Sequence, residues 1–151
     1  MQDKLQLALP TFDYRLQHKE GKAYIFDAIR KKYVKLEPEE WVRQHFLHFM
    51  IKSGYSAGLI KIESGHRFNS LQKRTDIVAY NRQAAPFLLV ECKAPNVKID
   101  RKVLQQVVNY NRTLKAPFLA VTNGLEHYYF SIDFEKSAYE QLTQLPDYPL
   151  Q

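Results

Sequence analysis

Two apolar runs joined by one amphipathic segment place the strongest constraint on the fold of this chain. The runs Phe87–Lys93 and Pro117–Thr122 each have the length and composition of a buried strand. Between them, residues 100–114 carry apolar side chains at helical spacing. A strand–helix–strand unit of this kind makes a right-handed crossover between parallel strands. The sequence therefore predicts a sheet that contains at least one parallel pair.

Shorter elements surround this unit. An N-terminal β-hairpin is indicated at about residues 12–27, and a helix begins at Pro38 and ends near Ser53. Further strands are predicted at 59–63, 75–80 and 127–132 and a short helix at 138–143, whereas residues 28–37 fit either a strand or a loop. Because the strands before the crossover have short connections, the predicted fold is an α/β sandwich, with a mixed central sheet flanked by helices.

Composition excludes several classes of protein. The 151 residues, 45% of them hydrophobic, predict one domain over residues 1–151 with its core at about 38–132. Cys92 is the only cysteine, so an internal disulfide is excluded, and the five histidines lack metal-site spacing and are expected at the surface. The five glycines form no phosphate-binding loop, so no nucleotide cofactor is expected. Without a signal peptide or a membrane-length apolar run, the protein is expected to be cytoplasmic and to have no membrane contact.

The charge balance favours an anionic partner. Lys and Arg outnumber Asp and Glu by 22 to 16, which gives a net charge of +6. Basic side chains bind nucleic acid strongly because they release its counterions. On charge alone, an ordinary basic surface is an equal alternative. The side chains expected to contact phosphate are Lys73, Arg74, Lys98, Arg101 and Lys102.

Glu91 and Lys93 stand at the end of an apolar strand. Because side chains alternate along a strand, these two share one face while Cys92 points to the other. A carboxylate at the end of a buried strand needs a neutralising cation, which Lys93 alone would supply as a structural ion pair. Asp76 begins the preceding strand, and a hairpin brings the start of one strand beside the end of the next. The sequence thus predicts that Asp76 meets Glu91 and Lys93, although Asp76 would alternatively cap or pair with Arg74.

Two carboxylates and a lysine at one sheet edge suit phosphodiester chemistry. Oxygen ligands fit Mg²⁺, which keeps several waters and commonly takes only one or two protein carboxylates. Such a metal polarises a phosphoryl oxygen, while a lysine orients the attacking water. The sequence therefore predicts a Mg²⁺ site, with Mn²⁺ as the expected substitute.

The same residues carry a resemblance to a known family. Asp76 followed by Glu91-Cys92-Lys93 resembles the signature of the PD-(D/E)XK phosphodiesterase superfamily, although Thr75 stands where the signature has proline. More narrowly, residues 22–132 resemble the N-terminal nuclease domain of type I restriction enzyme R subunits. Three further stretches support the narrower resemblance: Pro38 to Gln44, the Q-x-x-x-Y motif of Gln106 and Tyr110, and the turn Thr122-Asn123-Gly124.

The resemblance implies a restriction-endonuclease-like fold and roles for further residues. Glu39 would offer an acidic group to the site, with stabilisation of the start of its helix as the equal alternative, and Glu40 takes its place if the helix phase differs. Gln106 and Tyr110 share one helix face, and the resemblance implies that this face is oriented toward the site, although Tyr110 would also fit the core. Metal binding is implied for three groups: Asp76, Glu91 and the backbone carbonyl of Cys92.

The function implied is Mg²⁺-dependent DNA endonuclease activity. The motor and coupling domains of a restriction R subunit are not seen in this sequence, so ATP-driven translocation is not implied and a freestanding nuclease domain is expected. The alternative is a catalytically silent module with the same fold that binds DNA or docks onto a larger DNA-processing complex. A homodimer is a third reading, because one small site cuts only one strand.

Overall fold

The computed structural model describes residues 6–64 and 75–150, with the backbone alone described at 63, 64, 75 and 76. Over these residues, nine strands form two sheets against which two α-helices pack. The small sheet consists of β1 (Leu16–Lys19), β2 (Lys22–Asp27) and β3 (Lys32–Lys35). The large sheet consists of β4 (Ile60–Ser64), β5 (Thr75–Tyr80), β6 (Pro86–Cys92), β7 (Phe118–Thr122), β8 (His127–Asp133) and β9 (Ala138–Leu142). The helices are α1 (Pro38–Lys52) and α2 (Arg101–Leu114), and a 3-10 turn spans Ala57–Leu59.

The large sheet is mixed, as predicted. Its strands lie in chain order, and all neighbours are antiparallel except β6 and β7. In that parallel pair Glu91 lies beside Val121, and α2 makes the connection between the two strands. The α/β fold with an N-terminal hairpin is therefore confirmed, and residues 32–35, which the sequence left open, add a third strand to that hairpin.

The two helices lie on opposite faces of the large sheet. Val90 and Cys92 of β6 belong to the same buried cluster as Phe46 of α1. Leu89, which points the other way, belongs to a second cluster with Val107 of α2. Because side chains alternate along a strand, Glu91 shares the face of Leu89 and hence of α2.

Helix α1 is buried around most of its circumference. Val42, Phe46 and Met50 form an apolar stripe along one side of the helix and are fully buried. The side chains that lie off the stripe are also covered, because the small sheet and the segment before it pack on this helix. The expectation of surface histidines is wrong for His45, which is 6% exposed and stands 4.8 Å from the ring of Phe12.

The C-terminal helix predicted at 138–143 is instead strand β9. The Asp133 carboxylate accepts hydrogen bonds from the backbone N–H groups of Glu135 and Lys136, which closes a tight turn. Ser137 then takes a left-handed conformation, with φ of 51°, and Ala138 pairs with Asp133. Cross-strand pairing with β8 therefore outweighs the weak local helix preference.

Candidate functional site

Glu91 lies at the C-terminal end of β6 and is only 2% exposed. Lys93 is the first residue after β6, and its Nζ atom lies 3.4 Å from Oε2 of Glu91. The structure therefore brings these two predicted residues together as an ion pair. The backbone N–H of Lys93 donates to the carbonyl of Thr122 at 2.8 Å, which ties this segment to the end of β7. The Lys93 ammonium is thus held beside the buried carboxylate, because the backbone of Lys93 is continuous with β6 and hydrogen-bonded to β7.

Asp76 lies on the strand next to Glu91. Ile77 is directly opposite Val90 in the antiparallel pair of β5 and β6. Asp76 precedes Ile77 and Glu91 follows Val90, so the backbones of the two acidic residues are adjacent across the pair. The side chain of Asp76 is outside the described part of the chain, as are the basic residues 73 and 74, so their predicted roles stay predictions.

Helix α2 carries the Q-x-x-x-Y motif on the Glu91 face of the sheet. Tyr110 is 5% exposed and packs in the cluster with Val107 and Leu89, which is the core position that the sequence offered as its alternative. Gln106 is exposed. The helix begins at Arg101, where the Asp100 carboxylate caps it by accepting from the N–H of Val103 at 3.0 Å.

Glu39 makes a local ion pair. Its Oε2 atom lies 2.9 Å from Nη2 of Arg43, and its side chain is 44% exposed. Helix α1 packs on the face of the sheet that Cys92 shares, opposite the face of Glu91. The contribution of Glu39 to the site stays a prediction. The adjacent Glu40 is the buried member of the pair, with a side chain 10% exposed.

Arg43 is a buried cation that the sequence did not indicate as part of the candidate site. It is 2% exposed and donates to Glu40 at 2.7 Å as well as to Glu39. Burial alone would lower the pKa of Arg43, but the nearby Cys92, Glu40 and Glu39 raise it above its usual range. A fixed positive charge therefore stands behind the end of β6. The Glu-Glu-x-x-Arg spacing would have indicated the ion pairs, but not their burial.

The loop from Lys93 to Asp100 presents basic residues beside this strand end. The Asn123 side chain donates to the carbonyl of Val97 at 2.9 Å, so the β7–β8 turn holds the loop in place. The predicted phosphate-contacting side chains that follow this anchor are all exposed: Lys98, Arg101 and Lys102. These three exposed cations, the basic rim, follow the strand end at which Glu91 lies.

The donor groups at this end of the sheet are of the chemical type that Mg²⁺ binds. Among the side chains that the structure describes, no three His, Cys, Asp or Glu groups are close enough to hold a metal. The donors that are described are the Glu91 carboxylate and the backbone carbonyl of Cys92, both of them hard oxygen groups. Mg²⁺ is commonly held through one or two carboxylates with water completing its shell. A second carboxylate at Asp76 would complete such a set.

The mixed α/β sheet with its flanking helices is consistent with a nuclease-like fold, and it holds a buried carboxylate and a paired lysine at the end of a central strand. The chain belongs to the family described as type I restriction enzyme R protein N terminus (HSDR_N), whose model matches residues 38–146. The match runs from the start of α1 past the end of β9. No curated protein and no solved structure gives a significant match. Neither of the two α-helices in the described residues has the length and hydropathy needed to cross a membrane.

Proposed function

We propose that this protein is a metal-dependent nuclease of the PD-(D/E)XK type that hydrolyses phosphodiester bonds in DNA. The observation that carries the proposal is the buried Glu91 carboxylate at the end of β6, with the Lys93 ammonium 3.4 Å away and the backbone of Asp76 adjacent on β5. A buried acid beside a lysine is costly for folding and chemically useful at a cleavage site. Membership of a restriction-enzyme family supports the same conclusion.

Each residue of the proposed site has a distinct task. Asp76, Glu91 and the carbonyl of Cys92 would hold Mg²⁺ or Mn²⁺, which supplies Lewis acidity toward a phosphoryl oxygen and a lowered pKa for bound water. Lys93 orients the attacking water and balances negative charge that develops on the phosphate. Because Glu91 is almost fully buried, its electrostatic interaction with Lys93 acts through a medium of low polarity and is stronger than it would be in water.

The basic rim would position the DNA backbone. Lys98, Arg101 and Lys102 are exposed in the segment that follows the strand end, and Lys73 and Arg74 precede Asp76 in the sequence. Contacts of such residues with phosphate fix the register of DNA without reading its bases. Gln106 adds an exposed amide on the same helix as Arg101.

The proposal is tested by cleavage of single-stranded, duplex and branched DNA with Mg²⁺ or Mn²⁺. Asp76→Asn, Glu91→Gln and Lys93→Met should each lower the rate by at least about 10²-fold. Glu135→Gln makes the same acid-to-amide change in the exposed turn after β8 and should leave the rate unchanged. If the wild type and Asp76→Asn give the same background on every substrate, the catalytic proposal is refuted.

A silent docking module is the second candidate, because the observed Lys93–Glu91 ion pair would serve a purely structural role equally well. Calorimetric titration with Mg²⁺ or Mn²⁺ separates the two functions. Metal binding that is lost in Glu91→Gln supports the nuclease. DNA binding that is equally strong with and without metal, together with no metal binding by the wild type, supports the module.

A further inference from the structure

A groove runs along α2 on the side that faces β8 and β9. It consists of two cavities, one of about 340 Å³ and one of about 430 Å³. Both cavities are lined by Val108 of α2 and by Tyr139 of β9, so they adjoin one another. The wall opposite the helix is formed by side chains of β7, β8 and β9.

The groove leads away from the candidate nuclease site. The smaller cavity is lined by Arg101, the first residue of α2, and by Val121, the residue that lies beside Glu91 in the sheet. The larger cavity is lined by Arg112 and Lys115 at the other end of the helix. At 1.5 Å per residue, the 14 residues of α2 give the groove a length of roughly 20 Å.

The groove carries positive charge at both ends, and the residues that line it between these ends are uncharged. The described residues that line the two cavities include Arg101, Arg112 and Lys115 and no Asp or Glu. Arg112 and Lys115 are exposed, so their charged groups are available to a ligand. A chain of phosphates has the matching charge.

Two exposed aromatic rings stand over the larger cavity. Tyr139 is 52% exposed and Phe134 is 41% exposed, and both line it. Tyr139 lies on the edge strand β9 directly opposite Ile132 of β8, so its ring projects from the face that α2 covers only in part. Exposed rings beside cations form the kind of surface on which unpaired bases stack.

We propose that this groove binds single-stranded nucleic acid, with phosphates on the three cations and bases on Tyr139 and Phe134. A duplex keeps its base faces stacked inside, so rings on a groove wall reach them only where the strand is unpaired. The inference rests on the proposed function and deepens it, because it specifies a single-stranded extension that leaves the cleavage site along α2. An acidic amphipathic peptide is the competing occupant.

The test is fluorescence anisotropy with a labelled oligo-dT of about 15 nucleotides, in EDTA so that no cleavage occurs. Tyr139→Ala should weaken binding roughly 5- to 100-fold. Tyr33→Ala is the matched control, since Tyr33 is 39% exposed on the small sheet. Arg112→Gln with Lys115→Gln should reduce the salt slope, log Kd against log salt, by about 1.4, and Lys19→Gln with Lys22→Gln should leave it unchanged.

Four results would overturn the groove proposal. The first is unchanged oligo-dT binding in Tyr139→Ala, and the second is an equal reduction of the salt slope in the Arg112/Lys115 and Lys19/Lys22 double variants. The third is an effect of Tyr139→Ala on binding of blunt duplex DNA that is as large as its effect on oligo-dT. The fourth is Tyr139-dependent binding of poly-glutamate by a protein that does not bind oligo-dT. Urea midpoints of all variants confirm that the fold is retained. If Glu91→Gln abolishes cleavage while the groove variants bind normally, the groove fails and the nuclease stands. If oligo-dT binding depends on Tyr139 but the protein cleaves no substrate, the groove proposal stands and the nuclease proposal fails.

Discussion

At the scale of single residues, Glu39 and Glu40 show how the tertiary structure separates neighbours. Both stand in the first turn of α1, and both bind Arg43. Glu39 is 44% exposed at its side chain, whereas Glu40 is 10% exposed and also accepts from Arg30 at 3.0 Å. The two ion pairs therefore differ in burial rather than in chemistry, and burial decides what their loss costs.

Glu40→Gln is expected to lower the free energy of unfolding by roughly 3 kcal/mol, because it leaves the buried Arg43 and its neighbour Arg30 with too little negative charge. Glu39→Gln, its matched control, is expected to cost less than about 1 kcal/mol, since its pair is largely in solvent. Urea unfolding at pH 7 measures both. Equal losses would show that burial does not distinguish the two pairs.

Asp27 is a buried acid that ties β2 to its following turn and to α1. Its carboxylate accepts from the backbone N–H of Arg30 at 2.9 Å, from the Arg30 guanidinium at 2.6 Å and from the Gln44 amide at 3.1 Å. Burial alone would raise the pKa of Asp27, but the hydrogen bonds and charge of Arg30 and the amide of Gln44 lower it below its usual value. Ionised Asp27 thus stabilises the folded state.

The stability contributed by Asp27 is expected to depend on pH in a defined direction. Because the folded pKa is lower than the unfolded one, the contribution is complete above about pH 5 and is lost as the pH falls through the folded pKa. Asp27→Asn should therefore be less stable than the wild type at pH 7, with a difference that shrinks below about pH 4. Urea unfolding from pH 7 to pH 3 measures this difference.

Asp133→Asn is the matched control for this pH series. Asp133 accepts from two backbone N–H groups in the same kind of turn, but on an exposed loop. Relative to the wild type at pH 7, Asp133→Asn should therefore lose less free energy of unfolding than Asp27→Asn. A constant gap between wild type and Asp27→Asn over the whole pH range would contradict the role given to the Asp27 charge.

At the scale of elements, the β7–β8 turn is tightly constrained. Gly124 has φ of +88°, and a Cβ atom there would stand 2.9 Å from Leu7 Cδ2 and 3.0 Å from Val42 Cγ2. Its carbonyl also accepts from the backbone N–H of Ala8 at 2.8 Å. The Thr-Asn-Gly turn thus holds the N-terminal segment against α1 as well as reversing the chain.

Gly124→Ala is expected to destabilise the fold by about 2–4 kcal/mol, from left-handed strain together with overpacking. Gly21→Ala is the matched control, because Gly21 has φ of +76° with no atom within 4 Å of an added Cβ, so it adds strain alone and should cost about 1–2 kcal/mol. Thermal unfolding of the two variants measures the difference. A loss that is no larger in Gly124→Ala would show that Leu7 moves aside freely.

At the scale of the whole molecule, a buried polar network joins the small sheet to α1. Gln44 donates to both Asp27 of β2 and Glu40, and Arg30 binds the same two carboxylates. Ile25 of the small sheet also lies in the main core cluster with Phe46. Because the small sheet and one face of the large sheet both bury apolar side chains against α1, the two sheets should unfold together.

Unfolding is therefore expected to be a single cooperative transition. Trp41 is the sole tryptophan, and it packs against Tyr14 and His45, so its fluorescence reports on the contact between the N-terminal segment and α1. Far-UV circular dichroism reports on all strands and helices. The two urea curves should coincide, whereas an earlier fluorescence transition would show that the N-terminal part is a separate folding unit.

Local patterns predicted much of the sheet and of the candidate site. Strand β5 is observed at the residues predicted, β6 is shifted by one residue, and α2 begins one residue later because Asp100 is its cap. The E-x-K spacing placed Glu91 and Lys93 on one face, and the ion pair between them is observed. The alternation of side chains in strands and the 3.6-residue helical period are properties of the adjacent chain, so they can be derived from it.

Contacts between distant segments decided the rest. His45 and Arg43 are buried because Phe12, the small sheet and the end of β6 cover α1. Residues 138–142 became a strand because β8 offers a pairing partner, and that strand completes the groove along α2. The sequence by itself determined which residues alternate and where charge ends an apolar run. Only the tertiary structure decided which face each helix covers, because burial is set by what packs from elsewhere in the chain.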